Sequence, residues 1–126
     1  MRVFKTRAVA KFCRAEGISD NLLIEAIERA ERGLIDADLG GGLIKQRVAR
    51  PGKGRSGGWR TLIGYRAGMR AVFLFGFAKN ARENVSPDQV RQLKAAALEV
   101  FELTPKELKN RLDAESLLEL QNGKKD

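Results

Sequence analysis

Two runs rich in β-branched and aromatic residues, Trp59 to Arg66 and Met69 to Lys79, flank the dipeptide Ala67-Gly68, and no other stretch of the 126 residues constrains the fold as tightly. Runs of this kind around a two-residue turn predict a β-hairpin. In that register Arg66 faces Met69, Ile63 faces Val72, Arg60 faces Phe75, Trp59 faces Gly76 and Ser56 faces Lys79. Side chains alternate along a strand, so Arg60, Leu62, Phe73, Phe75, Phe77 and Lys79 are expected on one face, and Trp59, Ile63, Val72, Leu74 and Gly76 on the other. A three-residue turn with a bulge would break this register. Both strands end in a cation, Arg66 and Lys79. Just ahead of them, Pro51 to Gly58 sets Lys53 and Arg55 among four glycines and a serine. Backbone N–H groups and long cations in such a loop can mould around an anion, and a phosphate chain is the obvious one.

The composition is consistent with that partner. Lys and Arg number 24 against 16 Asp and Glu, a net charge of +8 that suits nucleic acid or an acidic protein, though many ordinary basic proteins share it. The length fits one domain able to bury a core without disulfides or metal. Cys13 is the single cysteine and histidine is absent, which excludes an internal disulfide, a cysteine–histidine zinc site and any histidine-based triad. No cofactor and no metal are expected. No stretch is apolar enough to span a bilayer and no signal-peptide core opens the chain, so the expected location is the cytoplasm.

In chain order, Met1 to Lys5 reads as a strand with Val3 inward. Thr6 caps a helix over Arg7 to Glu16, with Val9, Phe12 and Cys13 on one stripe and Gly17 as its left-handed stop. Cys13 is then a small buried apolar residue. Ser19 or Asp20 caps a second helix to about Gly33, with Leu23, Ile27, Ala30 and Leu34 at helical spacing. Gly40 to Gly42 reads as a flexible link into a strand, Leu43 to Val48. Neither it nor the glycines from Gly52 to Gly58 form a nucleotide-hydrolase phosphate loop, because no Gly-Lys-Ser/Thr leads into a helix. Ser86-Pro87-Asp88-Gln89 and Thr104-Pro105-Lys106-Glu107 are helix-start signatures. The first opens a helix to about Leu103. The second opens a last helix, about 105–120, with Leu108, Leu112, Leu117 and Leu118 as its apolar side, and from Gln121 the chain is expected to fray. The predicted class is α+β, in the order β-α-α-β-β-β-α-α.

At Ser56-Gly57-Gly58-Trp59-Arg60, and at the apolar strand ending Gly76-Phe77-Ala78-Lys79-Asn80, the chain resembles the RelE/ParE superfamily of bacterial toxins, in its HigB-like RelE branch. The resemblance covers about residues 1–104 in element order, with the motifs between Lys53 and Ser86. It implies a mostly antiparallel sheet with two helices on one face and a basic cleft on the other. It implies a toxin of a type II toxin–antitoxin module that cleaves messenger RNA on the ribosome without a metal, and whose antitoxin, a helix-turn-helix protein, is encoded beside it. Arg60 matches the strand arginine of the RelE-type Gly-Tyr-Arg motif, with Trp59 at the tyrosine position. Lys53 and Arg55 fall where those toxins carry basic residues, and Lys79 matches a lysine ending the next strand. Asn80 stands where RelE has an arginine, with Arg82 the nearest substitute, and the single tyrosine, Tyr65, lies mid-strand instead of near the C-terminus.

Metal-free cleavage requires the ribose 2′-OH to attack its own phosphate, with a base, a stabiliser for the phosphoryl oxygens and a donor to the leaving oxygen. Arginine suits the second task, because its fixed fork matches phosphate oxygens. A lysine serves as base only if like charges lower its pKa from about 10.4. Arg60, Lys79 and Lys53 are therefore the candidate catalytic residues, and Arg55, Arg82, Arg66 and Trp59 the candidate RNA-binding ones. Trp59 is read as a core ring over Gly76, with base stacking as the other option, and the Phe73/Phe75/Phe77 row as a core face or a base platform. Lys45, Arg47 and Arg50 either extend a phosphate track or protect an edge strand from aggregation. Two alternative functions stand beside the ribonuclease: a ParE-like inhibitor of DNA gyrase, and a basic RNA- or ribosome-binding module.

Overall fold

A computed structural model describes residues 1–52, 57–78 and 85–120. Strand β1 (Arg2–Thr6) leads into helices α1 (Arg7–Glu16) and α2 (Asp20–Glu31). Strands β2 (Ala37–Gly40), β3 (Leu43–Val48), β4 (Trp59–Arg66) and β5 (Arg70–Ala78) follow, then α3 (Pro87–Glu102), α4 (Pro105–Asp113) and β6 (Leu117–Glu119). The strands form one sheet in the order β2-β3-β4-β5-β1-β6. It is antiparallel except where β1 runs parallel to β5. The α+β class, a mostly antiparallel sheet with helices packed on it, is as the sequence predicts.

Local signals set the helix ends. The Thr6 and Ser19 hydroxyls accept from the Val9 and Leu22 amides, and Gly17 closes α1 at φ 74. Ser86 with Gln89, and Thr104 with Glu107, form capping boxes at the starts of α3 and α4. Helices α1 and α2 then bury Val9, Cys13, Leu23 and Ile27 against Ile44, Trp59, Ile63 and Phe73 on one face of the sheet. On the other face, α3 and α4 bury Ala97, Val100, Phe101 and Leu108 against Phe4, Leu43, Leu62 and Val72. Being covered on both sides explains why Ala71 to Leu74 is an unbroken apolar run. Where α3 crosses β4, a Cβ on Gly64 would meet the Cβ of Ala97 at 2.8 Å, so glycine sets how closely that helix approaches.

The hairpin register differs from the expected one. The turn holds three residues, with Gly68 at φ 72, so Arg66 pairs with Arg70 rather than Met69, and Ile63 pairs with Phe73 rather than Val72. A bulge at Leu74 then moves the register again, pairing Leu62 with Phe75, Arg60 with Phe77 and Trp59 with Ala78. Phe73 consequently faces α1 and α2, while Val72 and Leu74 face α3, the reverse of the expected sides. Phe75 and Phe77 regain Arg60's face. Packing explains the exchange: Phe73 is fully buried among the residues under α1 and α2, and Phe12 rather than Trp59 lies over Gly76.

Three further expectations change. Gly40 to Gly42 is the turn of a β2–β3 hairpin, all three at positive φ, so β3 is an interior strand rather than an edge. Leu34 falls beyond α2, which ends at Glu31, and is exposed. The last helix ends at Asp113 rather than near 120, because the chain turns through Glu115 at φ 59. Leu117 and Leu118 then pair with β1 as β6, burying Leu117 and Leu120. The segment expected to fray lies outside the described residues.

Gln46 holds the crossover from α2 to the sheet. Fully buried, it accepts from the Asp36 amide at 3.0 Å and donates to the carbonyls of Leu34 at 2.9 Å and Ala26 at 3.1 Å. Gln46→Ala is expected to cost about 2 kcal/mol of unfolding free energy by denaturant titration, since buried partners lose their bonds; a change near zero would contradict this role. At the far edge, Arg2 donates to both carboxylate oxygens of Glu119, at 2.8 and 2.9 Å, and these bonds hold the Glu119 pKa below the usual carboxylate range. A pKa lowered by folding adds stability above the unfolded value, about 4.3, and that stability is lost as pH falls through the folded one. Glu119→Gln should therefore cost under about 1 kcal/mol at neutral pH, and the difference from wild type should fade in acid. A difference that widens in acid would contradict it.

Candidate phosphate site on the strand face

The α3 face of the sheet is not covered evenly. The helix packs over the Gly64 and Val72 end of the strands, whereas Lys45, Arg47, Arg60 and Phe75 toward the other end keep part of their surface in solvent. Beside them lies a cleft of about 140 Å³, lined by Leu39, Lys45, Leu62, Phe77, Val85 and Val90. Its floor is apolar sheet and one wall is the start of α3. Phe75 and Phe77 pack together at 5.9 Å between ring centroids, which firms the strand carrying them.

Across β3, β4 and β5, Arg47, Arg60 and Phe77 occupy one cross-strand row. The backbone of Arg47 is bound on the side away from β4: its amide donates to Asp36 Oδ2 at 2.6 Å and its carbonyl accepts from the Arg29 guanidinium. Arg47 and Arg60 therefore form the non-hydrogen-bonded type of antiparallel pair, the closer type, with Cα atoms about 4.5 Å apart. Two arginines are thus fixed at opposed positions of adjacent strands, with the Arg47 side chain lying over Gly58, where its Nη1 would come 3.2 Å from an added Cβ. Neither has a carboxylate partner among the described residues, and Arg60 Nη1 reaches only its neighbour's carbonyl, on Trp59, at 3.5 Å, the outer limit of a hydrogen bond. Like charges directly opposed destabilise a sheet, so an anion bound beside the pair would relieve the repulsion.

Other candidate residues fall elsewhere. Trp59 is 3% exposed, lies on the face opposite Arg60 and donates its indole N–H to Glu16 at 2.9 Å. It is a core ring and not a platform for bases. Arg50 stacks over that ring, 5.4 Å from its centroid, and so leaves the track suggested for it. Arg66 shares Arg60's face but stands six residues along β4, about 20 Å away, with its guanidinium 4.5 Å from the Phe101 ring centroid. Lys53, Arg55, Lys79 and Arg82 lie outside the described residues. The pairing of Arg47 with Arg60 is the main gain over the sequence reading. Alternation marked Arg47 as a possible track residue, but only the β3–β4 register shows which arginine it meets.

Among the described residues no helix is long and apolar enough to cross a membrane. A search of curated proteins returns no match. The family described as RelE toxin of RelE / RelB toxin-antitoxin system matches residues 1–120. Nearly the whole chain, including α4 and β6, falls within that match. The protein belongs to the RelE family, toxins of toxin–antitoxin systems whose partner is an antitoxin.

Proposed function

We propose that this toxin is an endoribonuclease that cuts messenger RNA on the ribosome by transesterification without a metal. The observation that carries the reading is the Arg47–Arg60 pair, two arginines opposed on adjacent strands of a partly open face with no carboxylate partner among the described residues. In the reaction the 2′-oxygen forms a bond to the adjacent phosphorus, the bond from phosphorus to the 5′-oxygen breaks, and the products are a 2′,3′-cyclic phosphate and a 5′-hydroxyl. Negative charge grows on the phosphoryl oxygens as the 2′-oxygen attacks, and Arg60 and Arg47 supply charged donors there. Arg60 is assigned the stabilising role because it also matches the family's strand arginine. Lys79 and Lys53 are assigned to proton transfer, and Arg55 and Arg82 to holding the strand, on the sequence resemblance. Leu62, Phe77 and Val90 give the cleft beside the pair a low-dielectric floor, which strengthens charge interactions next to it.

The test is expression from a tightly controlled promoter with growth followed and RNA 5′ ends mapped. The wild type is expected to arrest growth and generate new 5′-hydroxyl ends in coding regions. Arg60→Ala should lower the cleavage rate on the order of 10²–10³-fold. Intact messages with an induced DNA-damage response would replace this reading with gyrase inhibition, and unchanged growth would leave a binding module.

The same variant distinguishes a functional role from a structural one. Because Arg47 and Arg60 oppose each other, Arg47→Ala and Arg60→Ala are expected to keep or slightly raise stability at low ionic strength, within about 0.5 kcal/mol. Any gain should shrink as salt screens the repulsion. A loss well beyond that range would show that the arginines are structural.

A further inference from the structure

Positive charge also gathers on the other side of the molecule. Arg7, Lys11 and Arg14 are exposed on α1, the helix that packs on the sheet face opposite Arg47 and Arg60. They recur at helical spacing on one side of α1. None is in an ion pair among the described residues, and the nearby acids are engaged: Asp20 with Lys5, and Glu16 with the Trp59 indole. Arg7 and Arg14 also line a cleft of about 280 Å³ between α1 and β6, together with Ala10, Leu118 and a carboxylate, Glu115, that pairs with neither. Arg7 is the first residue of α1, whose first turn holds no acid. A cation there opposes the positive end of the helix dipole, so helix stability does not account for it.

The sheet and its core separate α1 from the Arg47–Arg60 face, so the few nucleotides held at the strand face do not themselves touch α1. We propose that α1 and the cleft beside β6 form a second nucleic-acid contact, which takes the phosphate backbone of folded RNA while the strand face holds the strand to be cut. From Arg7 to Arg14 the helix rises about 10 Å, over which one strand of a duplex carries about three phosphates. The strip is bounded by α2, where Glu25 and Glu31 are exposed, so an RNA contact is confined to α1 and the β6 side. This inference rests on the proposed function, since a message cut on the ribosome is surrounded by folded RNA.

The test compares the wild type with Arg7→Gln/Lys11→Gln/Arg14→Gln and with the same arginines changed to lysine. Binding to purified ribosomes that carry a message and an empty decoding site is measured across salt concentration, with the melting temperature and antitoxin affinity of each protein as controls. The glutamine variant is expected to bind ribosomes at least about 10-fold more weakly at physiological salt, and the slope of log affinity against log salt should fall by about two. The lysine variant should retain most of the affinity, since backbone phosphates accept either cation, and the glutamine variant's melting temperature and antitoxin binding should stay at wild-type levels. An unchanged slope in a wild type that does bind ribosomes overturns the second contact alone. A wild type with no ribosome binding overturns the proposed function and this inference with it. Loss of antitoxin binding or of self-association, with ribosome binding intact, assigns the strip to a protein partner and overturns the RNA contact.

Discussion

Arg47 and Arg60 are held face to face on neighbouring strands, and much of the structure bears on that opposition. Like charges at such a position repel, and the sheet has no reason of its own to keep them together. They stay because both strands are fixed by what lies on the other face. Ile44, Val48, Trp59 and Ile63 are buried under α1 and α2, and Gln46 bonds the crossover that leads into β2 and β3. Burial on one side therefore preorganises charge on the other. In water two free guanidinium groups would drift apart, whereas here their backbones have no freedom to do so.

The bulge at Leu74 is the second device. Without it, the register that pairs Ile63 with Phe73 would run on and leave Arg60 opposite Gly76 rather than Phe77. The extra residue lets Phe73 fill the core under α1 and α2 while Phe75 and Phe77 return to the face of Arg60. The cleft beside the arginines owes its apolar floor to that return, with Phe77, Leu62 and Val90 packed along it. Bulges commonly re-aim side chains near functional surfaces, and this one separates the demands of core and site within a single strand.

What the sequence made legible follows from how local each signal is. The caps at Thr6, Ser19, Ser86 and Thr104 are decided within a few residues, and all four hold in the structure. The grouping of Arg60 with Phe75 and Phe77 is also recovered, although by a different register from the one expected. A three-residue turn with a bulge stands beside the two-residue turn as the alternative, and the choice between them was not legible, because it rests on which face Phe73 packs against. For the same reason β6 reads as helix in isolation: Leu117 and Leu118 suit either period, and only the free edge of β1 selects the strand. Trp59 shows the limit of residue type as a guide, since an aromatic beside an arginine fits RNA stacking until its indole is found bonded to Glu16.

Membership of the RelE family gives this chain an antitoxin and a role as a toxin, and the proposed phosphate contact rests on the opposed arginines of the strand face. The most direct measurement is a double-mutant cycle on Arg47 and Arg60, read as stability with and without a 2′-O-methyl RNA oligonucleotide that cannot be cut. The account predicts a repulsive coupling in the free protein at low salt that turns favourable when the RNA is bound. An attractive coupling in the free protein, or one that RNA does not change, would contradict it.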